Sequence, residues 1–136
     1  MTEADIVTFA GFSGDWHPGY VDAEFAKRGL FGERVVPQML CFNIGFAFWL
    51  RLLAGGASQG NFAGHVNDQW TFVRPVRIGD TLRCRYGTLD MRKSRSRPGI
   101  GLITFGLQLF NQHDQVVQQG RAIMMYPTRA DAGHAN

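Results

Sequence analysis

From Met39 to Leu53 the chain reads Met-Leu-Cys-Phe-Asn-Ile-Gly-Phe-Ala-Phe-Trp-Leu-Arg-Leu-Leu, its most apolar stretch. Pro37 ahead of it suits the first turn of a helix, where a missing N–H has no partner to lose. Ala54-Gly55-Gly56 behind it is a stop signal. A helix over about Pro37–Ala54 follows, and because it is apolar nearly all round it should be enclosed on most sides. The run from Met39 to Leu50 is too short to span a bilayer and Arg51 ends it, so a protein core is its expected setting. Asn43, the polar exception inside the run, is expected as a hydrogen-bonded core amide. With 136 residues, 45% hydrophobic and 18% charged, the chain can bury one core without staples.

Strand signals supply what encloses the helix. His65 to Val73 carries Trp70 and Phe72. Thr81 to Leu89 alternates Leu82, Cys84 and Tyr86 with Arg83 and Arg85. Ile100 to Phe110 places Ile103, Phe105, Leu107 and Leu109 at period two, and Val116 to Tyr126 sets Ile123 and Met125 on one face. Pro98-Gly99 and Gln112-His113-Asp114 are turns, so the strands read as an antiparallel meander. The expected fold class is α+β: one antiparallel sheet wrapped around one long helix, in a single domain over residues 1–127. Gly55 to Gly64 reads as a loop, and residues 128–136 as a mobile tail. One sheet over one helix leaves an edge and apolar surface exposed, which points to a homodimer, or a higher or mixed oligomer.

Before the helix, Thr2-Glu3-Ala4-Asp5 has the form of a capping box for a helix to about Phe9, ended by Gly11, Ser13 and Gly14. Asp22 is an N-cap for Ala23 to Arg28. Between them lies Ser13-Gly14-Asp15-Trp16-His17-Pro18-Gly19-Tyr20-Val21-Asp22, a stiff loop with acid, imidazole and phenol. Asp15 alone would read as a turn residue that caps backbone N–H groups. The N-terminal Met1-Thr2-Glu3-Ala4-Asp5 lacks the basic region of a secretory signal, so a cytoplasmic protein is expected.

Cys41 and Cys84 have no metal-ligand spacing and read as small buried hydrophobes. His65, His113 and His134 lack ligand partners, so no metal is expected. The net charge of +3 rests on Arg92, Lys93, Arg95 and Arg97, without which the balance turns negative. One basic turn suits a single phosphate-bearing ligand better than the broad positive face of a nucleic-acid binder.

These motifs together resemble the MaoC-like hotdog hydratases and dehydratases, the group of the (R)-specific enoyl-CoA hydratases. Their loop reads Phe-x-x-x-Ser-Gly-Asp-x-Asn-Pro-x-His-x-Asp, then Phe-Ala, then His-Gly-Met before the central helix. Here Ser13-Gly14-Asp15, Pro18, Asp22, Phe25-Ala26 and Met39-Leu40 stand in register. Downstream, Arg74-Pro75-Val76 and Gly79-Asp80-Thr81-Leu82 match Arg-Pro-Val-x-x-Gly-Asp-Thr-Leu. Asn111-Gln112 and Val116-Val117 resemble the Asn-Gln-x-Gly-x-x-Val hairpin.

The resemblance implies a hydro-lyase acting on an enoyl- or 3-hydroxyacyl-CoA thioester, with no cofactor beyond that substrate. Asp15 would be the main acid/base. Tyr20 stands where the family has its catalytic His, and His17 where it has Asn, so both are candidate partners. The Gln38 backbone N–H, at the family's Gly position, would polarise the thioester carbonyl, a task that suits a helix N-terminus. Arg92, Lys93, Arg95 and Arg97 would meet coenzyme A phosphates. Two other readings stay open: a non-catalytic acyl-CoA-binding or partner subunit, and a thioesterase. The second is weakened because no Asp or Glu lies between Pro37 and Gly64.

Overall fold

The computed structural model describes residues 1–54 and 64–128. Residues 55–63 of the expected loop and 129–136 of the expected tail lie outside the described residues.

Four helices come first. The first, α1 (Glu3–Ser13), starts from a reciprocal capping box: the Asp5 N–H donates to the Thr2 hydroxyl at 3.2 Å, and the Thr2 N–H to the Asp5 carboxylate at 2.7 Å. It runs a turn beyond Phe9 and ends where Gly14 takes a left-handed φ of 78°. The loop that follows is partly helical, since Pro18–Val21 forms the single turn α2. Asp22 then caps α3 (Ala23–Lys27), its carboxylate accepting the Phe25 N–H at 3.0 Å. The long helix α4 spans Gln38–Ala54.

Strands β1 (Gly64–Phe72), β2 (Arg83–Lys93), β3 (Ile100–Phe110) and β4 (Val116–Pro127) form one antiparallel sheet in the order β1-β4-β3-β2. Only β2, β3 and β4 make the expected meander. Contrary to the sequence reading, β1 pairs with β4 at the far edge. The connection from β1 to β2 crosses the end of the sheet, with the Val73 and Arg74 N–H groups bonded to the Val117 carbonyl at 2.8 and 3.0 Å. Val35 adds a lone bridge to Arg77, and the Val36 N–H donates to the Val76 carbonyl at 2.8 Å. This tethers the approach to α4.

On the sheet, α4 builds two clusters. Near its start Leu40 and Cys41 join Ile6, Val36, Val76, Leu109 and Val117. Further along, Trp49 sits on Phe105, Leu107, Ala122 and Met124. Each large side chain buried there contributes roughly 1.5–3 kcal/mol by transfer from water. The sheet, with Ile6 of α1 and Val36, covers much of the helix but leaves part of it open in the single chain. Met39, Leu50 and Leu52 remain 48%, 39% and 56% exposed. Asn43 is exposed too, its amide donating to the Met39 carbonyl at 2.7 Å instead of serving the core.

The sheet also closes tightly at Gly120. It faces Trp70 in the β1–β4 register, and a Cβ there would overlap the indole ring and the Gln69 carbonyl. Gly120→Ala should therefore destabilise the fold by about 3 kcal/mol or more. Urea unfolding would show this as a lower midpoint with an unchanged slope, and an unaltered midpoint would contradict the packing.

Candidate active site

The turn after α1 is built by Ser13, whose hydroxyl donates to the Phe9 carbonyl at 2.7 Å and accepts the Asp15 N–H at 3.2 Å. Ser13, not Asp15, thus satisfies this turn. The half-buried Asp15 carboxylate accepts no hydrogen bond among the described residues. A carboxylate free of internal donors keeps its acceptor capacity for water or a ligand.

Two residues on, His17 caps α2, its Nδ1 accepting the Gly19 N–H at 3.1 Å. That bond fixes the neutral tautomer, with the proton on Nε2. The His17 ring stands 5.5 Å from the Tyr20 ring and 6.1 Å from Phe25. Tyr20 is half-buried and leans on the cluster of Ile6, Val36, Leu40 and Cys41. Burial pushes its phenol above the ordinary value, and the nearby Asp15 charge pushes the same way, as does Cys41. Tyr20 therefore holds its proton at neutral pH and offers an O–H.

His17, Tyr20 and Gln38 line one cavity of about 260 Å³, with Phe25, Leu30, Phe31 and Val36 as apolar walls. Asp15 is not among the lining residues; its link to the cavity is its charge acting on Tyr20. Gln38 begins α4. The Pro37 carbonyl accepts the Leu40 and Cys41 N–H groups at 3.1 and 3.2 Å, but Pro37 has no side-chain oxygen with which to cap. The Gln38 and Met39 N–H groups consequently find no acceptor among the described residues, and the positive end of the helix faces the cavity region. Phenol, imidazole and open helix amides around an apolar space suit a polarised carbonyl on an apolar chain.

The basic residues do not join this site. Arg92 and Lys93 end β2, and Arg95 and Arg97 lie in the turn beyond it. Cys84 packs near the start of α4 and pairs with Leu109, whereas Lys93 pairs with Gly101. They stand nine residue steps apart along the strand, roughly 30 Å at the rise of a β-strand. The turn thus stands apart from the loop cavity of the same chain, because β2 runs on from Leu89, where its alternation stops, to Lys93.

A larger open depression, about 570 Å³, lies on the outer face of the sheet among Gln69, Thr71, Arg85, Gln108 and Arg121. That is the polar, solvated face, and no loop residue reaches it. Two features escaped the sequence reading. Glu33 lines the loop cavity and pairs with Arg77. His65 and Asp68 pair at 2.9 Å because an irregularity in β1 between His65 and Asn67 turns both to one side. Among the described residues no group of three or more His, Cys, Asp or Glu could hold a metal ion, and no helix is long and apolar enough to cross a membrane.

Cys41 is wholly buried, and burial pushes its thiol up to about 12. In the unfolded chain the thiol ionises near its ordinary value of about 8.5. Above that pH the unfolded state loses the proton first, so stability falls until the folded thiol also ionises near 12. Cys41→Val should flatten the decline of melting temperature between pH 9 and about 12. An unchanged slope would show that the thiol is not shielded.

The family model of the MaoC-like domain matches residues 1–118. An (R)-specific enoyl-CoA hydratase of Rhodospirillum rubrum is 32% identical over 129 residues, covering 95% of this chain and 82% of that protein. Among solved structures, a monoamine oxidase regulatory protein from Archaeoglobus superposes with a TM-score of 0.89 at 26% identity, over 93% of this chain and 82% of the other. The R-hydratase of Pseudomonas aeruginosa, unliganded, gives a TM-score of 0.71 at 28% identity, over 93% and 75%. The sheet on its long helix is the hotdog arrangement, and the chain belongs to the MaoC-like dehydratase family.

Proposed function

We propose that the chain is a hydro-lyase that adds water to, or removes it from, the 2,3 position of an enoyl- or 3-hydroxyacyl-CoA thioester. The observation that carries this reading is the meeting of Tyr20, His17 and Gln38 in one apolar cavity, with the Asp15 charge acting on Tyr20. Family membership supports the reaction class.

In the hydration direction Asp15 accepts a proton from water as its oxygen bonds to C3. The π electrons move onto the thioester oxygen, where the Gln38 N–H stabilises the enolate. The same carboxyl then returns the proton to C2, so that one water is added and the enzyme is restored. Tyr20 donates a hydrogen bond that orients the water, and His17 offers Nε2–H to the polar end of the substrate. The domain of residues 1–127 works in the cytoplasm as a homodimer in this reading. The second copy covers apolar side chains exposed in one chain, Leu50, Leu52 and Met91 among them. Arg92, Lys93, Arg95 and Arg97 would meet CoA phosphates at the site of that second copy.

One observation favours a rival. Tyr20 at the catalytic His position fits a chain that binds an acyl-CoA, or supports an active partner, without catalysis. Turnover of short trans-2-enoyl-CoA thioesters decides between the two. Wild type should hydrate them, Asp15→Asn should lose about 10²–10⁴-fold in kcat, and Tyr20→Phe about tenfold. Thioester binding with no turnover in wild type, and activity appearing in Tyr20→His, would establish the rival.

A further inference from the structure

We infer that Gln118 is a positioning residue for the amides at the start of α4 that polarise the thioester carbonyl, an inference that rests on the reading of the site above. Gln118 lies in β4 opposite Phe72 and Leu109 and is 1% exposed. Its Nε2 donates to the Gln38 carbonyl at 2.9 Å, and its Oε1 accepts the Trp70 indole N–H at 3.0 Å. An indole can only donate and a backbone carbonyl can only accept, so the amide has one orientation that satisfies both neighbours. The relay thus runs in one direction, from β1 through β4 to the first turn of α4.

Its target is informative. The described residues contain no cis peptide bond. The Gln38 carbonyl and the Met39 N–H are therefore antiparallel within one rigid plane, and holding the carbonyl aims the N–H. The Gln38 N–H belongs to the preceding plane, which the buried ring of Pro37 restrains from the other side. Pro37 and Gln118 clamp the two uncapped amides between them. Donors that are already aimed need no reorganisation as charge develops on the oxygen, so this clamp should act on the chemical step more than on binding.

The test compares wild type, Gln118→Met, Trp70→Phe and the double variant. It reads kcat and KM with a short trans-2-enoyl-CoA, and the carbonyl stretch of a bound, isotope-labelled saturated acyl-CoA by difference infrared spectroscopy. Gln118→Met should lower kcat about tenfold with KM within about twofold, and move the stretch toward that of the free thioester. Trp70→Phe keeps an aromatic ring in the same packing and should give a smaller change in the same direction, a readout that survives if Gln118→Met fails to fold. The double variant should be no worse than Gln118→Met alone. Wild-type kcat and stretch in the folded variants, or losses that multiply in the double, would overturn the role of Gln118. A wild type that binds no thioester would overturn the site reading and this inference together. A wild type that binds without turnover leaves the infrared shift as the deciding measurement.

Discussion

The first turn of α4 is anchored without being capped, and much of the structure serves that arrangement. Elsewhere side chains cap the helices: the Thr2 hydroxyl at α1, His17 Nδ1 at α2 and the Asp22 carboxylate at α3. At α4 the residue in that place is Pro37, which offers no such acceptor. A Ser or Asp there would satisfy an amide and weaken the positive pole. Anchorage comes instead from the backbone pairing of Val35 and Val36 with Arg77 and Val76, and from Leu40 and Cys41 packing on Leu109 and Val117. The helix start is held by groups that leave its N–H donors open.

The motifs downstream belong to the same support. Gly79 adopts a left-handed φ of 98°, and the buried Asp80 accepts the Arg77 N–H and the Gln112 amide, both at 2.8 Å. Gln112 in turn accepts the Thr81 N–H at 3.1 Å. Asn111 closes the β3–β4 turn by accepting the His113 and Gln115 N–H groups at 3.0 and 3.1 Å. The Gly79-Asp80 and Asn111-Gln112 signatures are therefore two halves of one structural lock. It ties the β1–β2 crossing to the hairpin beside the start of α4, and no chemistry need be assigned to it.

What was legible in the sequence was what depends on local pattern. The capping box at Thr2, the N-cap at Asp22, the extent of α4 and the four strands all follow from short-range periodicity or caps. The partner of β1 was not legible, because strand order is decided by where a crossing connection is tethered, here at Val117. Nor was the fate of the basic turn, since Arg92 and Lys93 continue β2 where an apolar alternation is no longer visible. Asn43 was misplaced because an apolar helix in one chain can leave a face open, and composition does not say which. At the candidate site, the loop motif named Asp15, His17 and Tyr20, of which His17 and Tyr20 line the cavity. It could not show that Ser13 takes over the turn and releases the Asp15 carboxylate, nor that His17 is committed through Nδ1 to a cap. Gln118 carried no signal at all, since either of the adjacent Gln118 and Gln119 could read as a solvent-facing strand residue.

On the proposed reading, a phenol at position 20 in place of an imidazole would change the proton inventory of the site more than its shape. An imidazole ionises near pH 6.5 and a phenol near 10. Beside Asp15, an imidazole would feel burial favour its neutral form and the carboxylate favour its cation, so both states stay within reach near neutrality. For Tyr20 burial and the Asp15 charge act in the same direction, and both keep the proton on the oxygen. Because His17 uses Nδ1 to accept the Gly19 N–H, its neutral form presents only Nε2–H outward. Around the cavity there are then several donors, the Tyr20 hydroxyl, the His17 Nε2–H and the open helix amides, while Glu33 is paired with Arg77 and the Asp15 carboxylate, beside Tyr20, accepts no hydrogen bond among the described residues. A site so arranged can hold negative charge on an oxygen well. In the proposed reaction it would have one place to put a proton taken from water, so removal of the proton and its return to carbon would fall to the same group.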